Sequence, residues 1–221
     1  MYLLTNLIKY MKKYLILLLL AGALIVSACG TEKKNDDVKN VSPESKPAAG
    51  VYSIDTATSQ VNWHAEKFIG KSHNGSVKIK SGSVSISPES STGSIIIDMT
   101  SISESENTEA LIKHLKSPDF FDVAKFPESK IELTKITPTD DTNKYEISGN
   151  LTIKDKTNPI SFNAIAIGAG DNIKLTGKFS IDRTLWNVRF GSNKFFDNLG
   201  DQAIRDDIDY DISISANKLN K

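Results

Sequence analysis

One cysteine, three histidines and no surplus of either charge sign stand out in this 221-residue chain, and each scarcity removes a class of function. The lone Cys29 supports neither an intramolecular disulfide framework nor a paired-thiolate zinc site. His64, His73 and His114 are far apart, with no HExxH spacing and no carboxylate–histidine cluster, so a metal or catalytic histidine centre has no sequence basis. His64 alternates with Trp63 and is expected to face solvent, His73 is placed in a turn, and His114 sits at a helix end, where a cation suits the C-terminal dipole. With 27 basic and 27 acidic residues there is no basic stripe, which argues against a nucleic-acid partner. No GxSxG elbow and no glycine-rich phosphate loop is present, so the sequence gives little support to an enzyme and implies no cofactor. The acidic group Asp197, Asp201, Asp206, Asp207 and Asp209 lacks the glycine and terminal glutamate of an EF-hand loop and reads as a solvated rim.

Long apolar runs are confined to the N-terminus. From Met11 the chain reads MKKYLILLLLAGALIVSACG: two lysines, an apolar stretch short for a settled membrane span, then small residues before a cysteine. That order is a signal peptide. The tetrapeptide VSAC looks like a lipobox, so Cys29 is expected to carry a diacylglycerol thioether, with palmitate-type chains, and to become the first mature residue. An uncleaved membrane anchor and a free or intermolecularly bridged thiol are the alternatives. Residues 1–10 add a second apolar patch and no signal logic, which leaves Met1 and Met11 as alternative starts. Loss of residues 1–28 removes three lysines and no acid, leaving 24 bases against 27 acids. Residues 30–50, GTEKKNDDVKNVSPESKPAAG, are charged and small with no apolar period, the composition of a flexible tether. The expected layout is a signal peptide over 1–28, a lipidated N-terminus and tether over 29–50, and one globular domain over 51–221, a size one barrel or sandwich fills. Gly30, directly after the cysteine, carries no inner-membrane retention signal, so the expected address is the outer membrane, with the leaflet open.

Within the domain the dominant period is two. Ile173, Leu175, Gly177, Phe179 and Ile181 alternate with polar residues, as do Tyr210, Ile212, Ile214 and Ala216. Shorter alternations occur at Val61, Trp63 and Ala65, at Val77 and Ile79, at Val84 and Ile86, at Ile131 and Leu133, and at Ile147, Gly149, Leu151 and Ile153. Asn74-Gly75, Ser81-Gly82, the run from Asp155 to Pro159 and the run from Gly168 to Asp171 are turn signals between them. One stretch departs from this period. Leu111, Ile112 and Leu115 fall at helical spacing, Ser103 and Glu106 form a capping-box pattern, and Ser117-Pro118 ends the run. About eight alternating strands protect their edges by closing into a barrel or folding into a sandwich.

From His114 the chain reads HLKSPDFFDVAKFP. Phe120, Phe121 and Phe126 need cover, and Pro118 and Pro127 stop the flanking elements, so the segment is a plug or corner. With LIKHL before it, SKIELTKI after it, and then YEISGNLTIKDKTNPISF and FSIDRTLWNVRFGS, it resembles the signature of the YceI-like family, bacterial secreted proteins with a lipocalin-like barrel that bind polyisoprenoids and other long amphiphiles. The resemblance spans roughly Val51 to Lys218. It implies an all-β fold, an eight-stranded extended antiparallel lipocalin-like barrel with one short helix, and a ligand class rather than a reaction.

An eight-stranded barrel is either filled by side chains or holds one slender ligand. The inferred inward positions include the small residues Ala65, Gly149, Ala164, Ala166 and Gly177 beside Trp63, Leu151, Phe162, Phe179 and Trp186. Small residues facing the axis leave volume for an apolar tail, unless the larger ones fill it. The resemblance favours the cavity, with Trp63, Leu151, Phe162, Ala164, Gly177, Phe179 and Trp186 as its wall. Arg183 and Arg189, with Lys194 and Arg205, interleave with Trp186, Phe190, Phe195 and Phe196 and suit a polar head group at the rim; equally, they pair with nearby aspartates on a surface loop. The expected partners are a polyisoprenoid, isoprenoid quinone or fatty-acid-like lipid, the membrane through Cys29, and a second copy in a homodimer. Two features depart from the family: the lipid tether, and the polar stretch WHAEKFIGKSHNG, which leaves room for a ligand other than a polyisoprenoid. The competing readings are a structural or stress-response envelope protein with a filled barrel and a protein partner, and a hydrolase acting at the mouth.

Overall fold

Period-two alternation becomes a closed antiparallel wall in the computed structural model, which describes residues 45–219; the signal segment, the lipobox and Cys29 lie outside them. The strands are β1 (Gly50–Ile54), β2 (Gln60–Glu66), β3 (Ser72–Ile86), β4 (Thr92–Glu104), β5 (Glu128–Pro138), β6 (Lys144–Ile153), β7 (Lys156–Ala169), β8 (Asn172–Asp182) and β9 (Asp207–Lys218), with helix α1 (Glu109–Lys116) between β4 and β5. From β3 to β9 each strand pairs with the next. Both β1 and β2 bridge β3 to β9, β1 at one end and β2 at the other. They share one position in the wall, so nine segments close an eight-position barrel and no edge is left unpaired.

The two ends are built differently. One carries short connections, residues 87–91, 139–143 and 170–171, together with the start of β1 and the end of β9. The other carries α1, the phenylalanine segment and the long β8–β9 connection. Helix α1 stops where Ser117 gives its backbone N–H to the His114 carbonyl and Pro118 follows. Its start differs from the capping box the sequence suggests. Ser103 belongs to β4, and the Glu104 carboxylate instead accepts the Glu106 and Thr108 backbone N–H groups at 3.1 Å each.

Two expected turns are absent. Asn74-Gly75 and Ser81-Gly82 both lie inside β3, which runs unbroken for 15 residues, and His73 is a strand residue paired with Ala65 rather than a turn residue. Gly75 is glycine for a packing reason: a Cβ there would strike the Ser103 carbonyl oxygen first and then meet the Trp63 ring at 2.5 Å. The second signal marks a bulge. Val77 and Ile79 face inward, Lys80 and Ser81 are both exposed, and inward facing resumes at Gly82 and Val84. One extra residue moves the inward set from odd to even numbers. The same device recurs in β4 after Met99, where Asp98 holds Thr100 and Ser101 through its side chain and carbonyl, and in β5 between Leu133 and Lys135. The run from Asp155 to Pro159 is also mostly strand: the turn is Lys154-Asp155, with Lys154 at φ 56°, and Pro159 pairs with Asn150.

Candidate ligand-binding cavity

The interior holds a chamber of about 490 Å³, within the roughly 300–1,000 Å³ range of small-molecule sites. Every strand contributes to its wall, through residues such as Val61, Trp63 and Ala65 of β2, Ile95, Ile97 and Met99 of β4, Leu151 and Ile153 of β6, and Ile212, Ile214 and Ala216 of β9. At the short-loop end it is framed by Lys46, Ala49, Pro88 and Pro138, none of them fully buried. At the other end its lining residues Phe120, Ser129, Arg183 and Ile208 are buried. The chamber therefore opens at the short-loop end and is stoppered at the other.

The stopper has two halves. Phe120 and Phe121 reach the chamber from the phenylalanine segment, which folds back on α1 through the Phe121 N–H to the Leu115 carbonyl at 3.1 Å and the Val123 N–H to the Lys116 carbonyl at 3.0 Å. The β8–β9 connection supplies the second half. Its 3₁₀ turn (Arg183–Trp186) buries Trp186, whose Nε1 donates to the Leu151 carbonyl at 2.8 Å. His114 and Phe120 both meet Phe190, at 4.7 and 5.3 Å between ring centroids, and join the halves.

The structure divides the sequence-derived wall. Trp63, Leu151, Phe162 and Phe179 line the chamber, as do Ala65 and Ala166. Ala164, Gly177, Gly149 and Trp186 do not line it. Ala164 and Gly177 are register partners, and a Cβ on Gly177 would meet the Ala164 Cβ at 3.3 Å, so this small pair fills its own space instead of leaving volume. A Cβ on Gly149 would strike the Glu132 carbonyl at 2.5 Å, because the β5 bulge brings that backbone close. Trp186 packs below the chamber with Ile153, Ile181 and Ile208. Lining residues the sequence did not single out include Tyr145, Tyr210 and Ile136; the bulge in β5 hid the last, since it breaks the alternation that began at Ile131.

Neither Arg183 nor Arg189 stands at the open end. Arg183 lines the chamber but is only 2% exposed, and it serves the stopper rather than a rim. Its Nε, Nη1 and Nη2 donate to the carbonyls of Arg205, Val188 and Ile204 at 3.1, 2.7 and 3.2 Å, and Asp206 lies 3.6 Å from Nη2. Burial draws its pKa down, opposed by the Asp206 and Asp182 charges. Arg189 is exposed on the outside of the closed end, stacked 4.4 Å from the Phe195 ring centroid. Phe190, Phe195 and Phe196 are exposed there too, Lys194 pairs with Asp182 and Asp206, and Arg205 pairs with Glu66. The three histidines stay apart: His64 Nδ1 lies 2.7 Å from the Asn74 side chain, His73 beside Glu104 at 3.5 Å, and His114 beside Asp119 at 3.2 Å. Among the described residues no group of three or more His, Cys, Asp or Glu side chains could hold a metal ion; of the acidic set, Asp206 is tied to Arg183 and Lys194 and Asp209 bonds Ser180.

A closed up-and-down antiparallel barrel, stoppered by a helix and a long loop around an apolar chamber, defines a lipocalin-like protein. The YceI-like domain matches residues 52–216, and the chain belongs to that family. Protein YceI of Salmonella arizonae is 38% identical over 60 residues, 27% of this chain and 30% of that protein, and a UPF0312 protein of Enterobacter sp. (strain 638) is 40% identical over a segment of the same length, with the same shares of both chains. The aligned segment thus spans under a third of these relatives. Among solved structures, BcnA of Burkholderia cenocepacia superposes with a TM-score of 0.61 at 21% identity, over 73% of this chain and 98% of that one. A polyisoprenoid binding domain from Saccharophagus degradans, implicated in plant cell wall breakdown, gives 0.58 at 13% identity, over 76% and 98%. At such identities the likeness is one of fold.

Proposed function

We propose that this protein is a lipid-anchored binding protein of the cell envelope that holds a long apolar or amphiphilic molecule inside its barrel. The observation that carries the reading is the chamber: a wall of isoleucine, valine, leucine and aromatic side chains encloses volume that a filled barrel would have packed. A polyisoprenoid, an isoprenoid quinone or a fatty-acid-like lipid fits such a wall, and the polyisoprenoid binding domain of Saccharophagus degradans supports the class by its fold. The sequence supplies the rest. The lipobox-like VSAC and Gly30 support attachment through Cys29 to the outer membrane. Nothing in the site calls for a reaction, so the role is binding and delivery.

Purification of the full chain under native conditions, followed by lipid mass spectrometry, tests this. A stoichiometric long-chain lipid is expected, and Ala166→Leu, which extends a buried wall residue into the chamber, should lower lipid content while leaving the melting temperature nearly unchanged. A lipid-free protein that Ala166→Leu destabilises by the roughly 1–3 kcal/mol of an overpacked core would instead mark a filled barrel.

A further inference from the structure

We infer that the closed half of the chamber is a subsite for an uncharged, oxygen-bearing head group, entered head first, with the Tyr210 hydroxyl as its hydrogen-bond donor. The inference rests on the carrier reading and narrows its ligand. Tyr210 lines the chamber from β9, with its ring stacked 5.2 Å from Phe179, which is stacked 4.5 Å from Phe162. This aromatic wall holds the phenol in place. No described group accepts from its hydroxyl, and burial alone raises its pKa. Tyr52 shows the usual outcome for a buried tyrosine, donating to the Ala48 carbonyl at 2.8 Å. Trp63, its register partner across β2 and β9, is not a second donor, because its Nε1 is closed off from the chamber on the ring edge that faces Gly75. Buried polar groups are rarely left unpaired because the lost water bonds are not returned. A phenol hydroxyl without an acceptor in one half of an apolar chamber points to a ligand that brings an oxygen.

Charge selects the kind of oxygen. Arg183, the cation lining this half, already gives its donors to three carbonyls and lies beside Asp206. A carboxylate or phosphate placed there would be desolvated without a free counterion, a far larger penalty than a neutral carbonyl, ester or hydroxyl incurs. The exposed Lys46 stands at the mouth, where an anionic head would remain, but a tail-first ligand would press hydrocarbon against the unpaired Tyr210 hydroxyl.

The test uses four sixteen-carbon probes of matched length: 1-hexadecanol, methyl palmitate, palmitate and hexadecane. The delipidated full chain is incubated with each at neutral pH, freed of excess by gel filtration, and its content read by gas chromatography–mass spectrometry across a concentration series. The alcohol and the ester should bind more tightly than palmitate or the alkane. Tyr210→Phe should weaken them about three- to tenfold, the equivalent of one hydrogen bond, and leave hexadecane unchanged. Equal uptake of all four by the native chain overturns the subsite and leaves the carrier reading standing. A preference that survives Tyr210→Phe, or that Tyr145→Phe at the mouth removes instead, also overturns it. Uptake of none sinks both.

Discussion

Replacing Arg183 with methionine probes how the closed end is held. Methionine keeps much of the apolar stem and deletes every donor. The Arg205, Val188 and Ile204 carbonyls each lose a hydrogen bond, worth about 1 kcal/mol net apiece. Asp206 Oδ1, which has no hydrogen-bond partner among the described residues, loses the nearby guanidinium, although Lys194 still neutralises Oδ2 at 3.1 Å. The sum agrees with the roughly 3–5 kcal/mol expected on removing one partner of a buried charged cluster, a third or more of the stability of many domains. In urea titrations the midpoint should fall by that amount divided by the slope, with the slope itself unchanged. Arg183→Lys should lie between the two, because one ammonium cannot span three carbonyls set around a planar fork. A loss below about 1 kcal/mol would mean that water re-satisfies the carbonyls and that the β8–β9 connection is held by something else.

Other outcomes follow from close approaches and charges. Gly149→Ala, with its Cβ driven to 2.5 Å from the Glu132 carbonyl, should lower the melting temperature more than Gly177→Ala, whose nearest contact is 3.3 Å; equal melting temperatures would mean that the β5 bulge does not crowd Gly149. The Glu104 carboxyl is held below its ordinary pKa of 4.5, chiefly by the Thr108 backbone N–H, with smaller help from His73 and Glu106. A lowered folded pKa means stability that is present above about 4.5 and lost as pH falls through the folded value, so the urea midpoint of Glu104→Gln should drop less between pH 6 and pH 3 than that of the native chain. Cys29→Ala should release the protein from membranes, since stable anchoring needs more than one acyl chain; retention in the pellet after carbonate washing would rule out the lipoprotein.

Alternation makes β2, β8 and β9 legible from the sequence because those strands run without offsets, and the closed barrel with one helix comes from the family resemblance. β3 is misread for a physical reason. Its bulge reverses the inward parity at Lys80–Ser81, and its two glycine dipeptides mimic turns although Gly75 makes room for the Ser103 carbonyl and the Trp63 ring. The cavity wall is half legible. Alternation tells which face a residue occupies but not its height along the axis or what lies over it, so Trp63 and Phe179 fall where expected while Ala164 and Gly177, on the same face, cover each other. Arg183 looks like a rim residue because its neighbours are aspartates and aromatics; only the folded loop turns three carbonyls toward it.

The bulges in β3, β4 and β5 give this side of the wall something like a reading frame that can be reset. A strand that gains or loses one residue normally turns every later side chain to the opposite face. Where an offset already exists, a one-residue deletion can be absorbed by removing it, and the residues beyond keep their facing. The pair β8–β9 has no such slack, with eleven consecutive partners from Asn172↔Asn217 to Asp182↔Asp207 and no shift. Length variation among descendants of this chain would therefore collect in β3 to β5, and the aromatic side of the barrel would diverge by substitution alone.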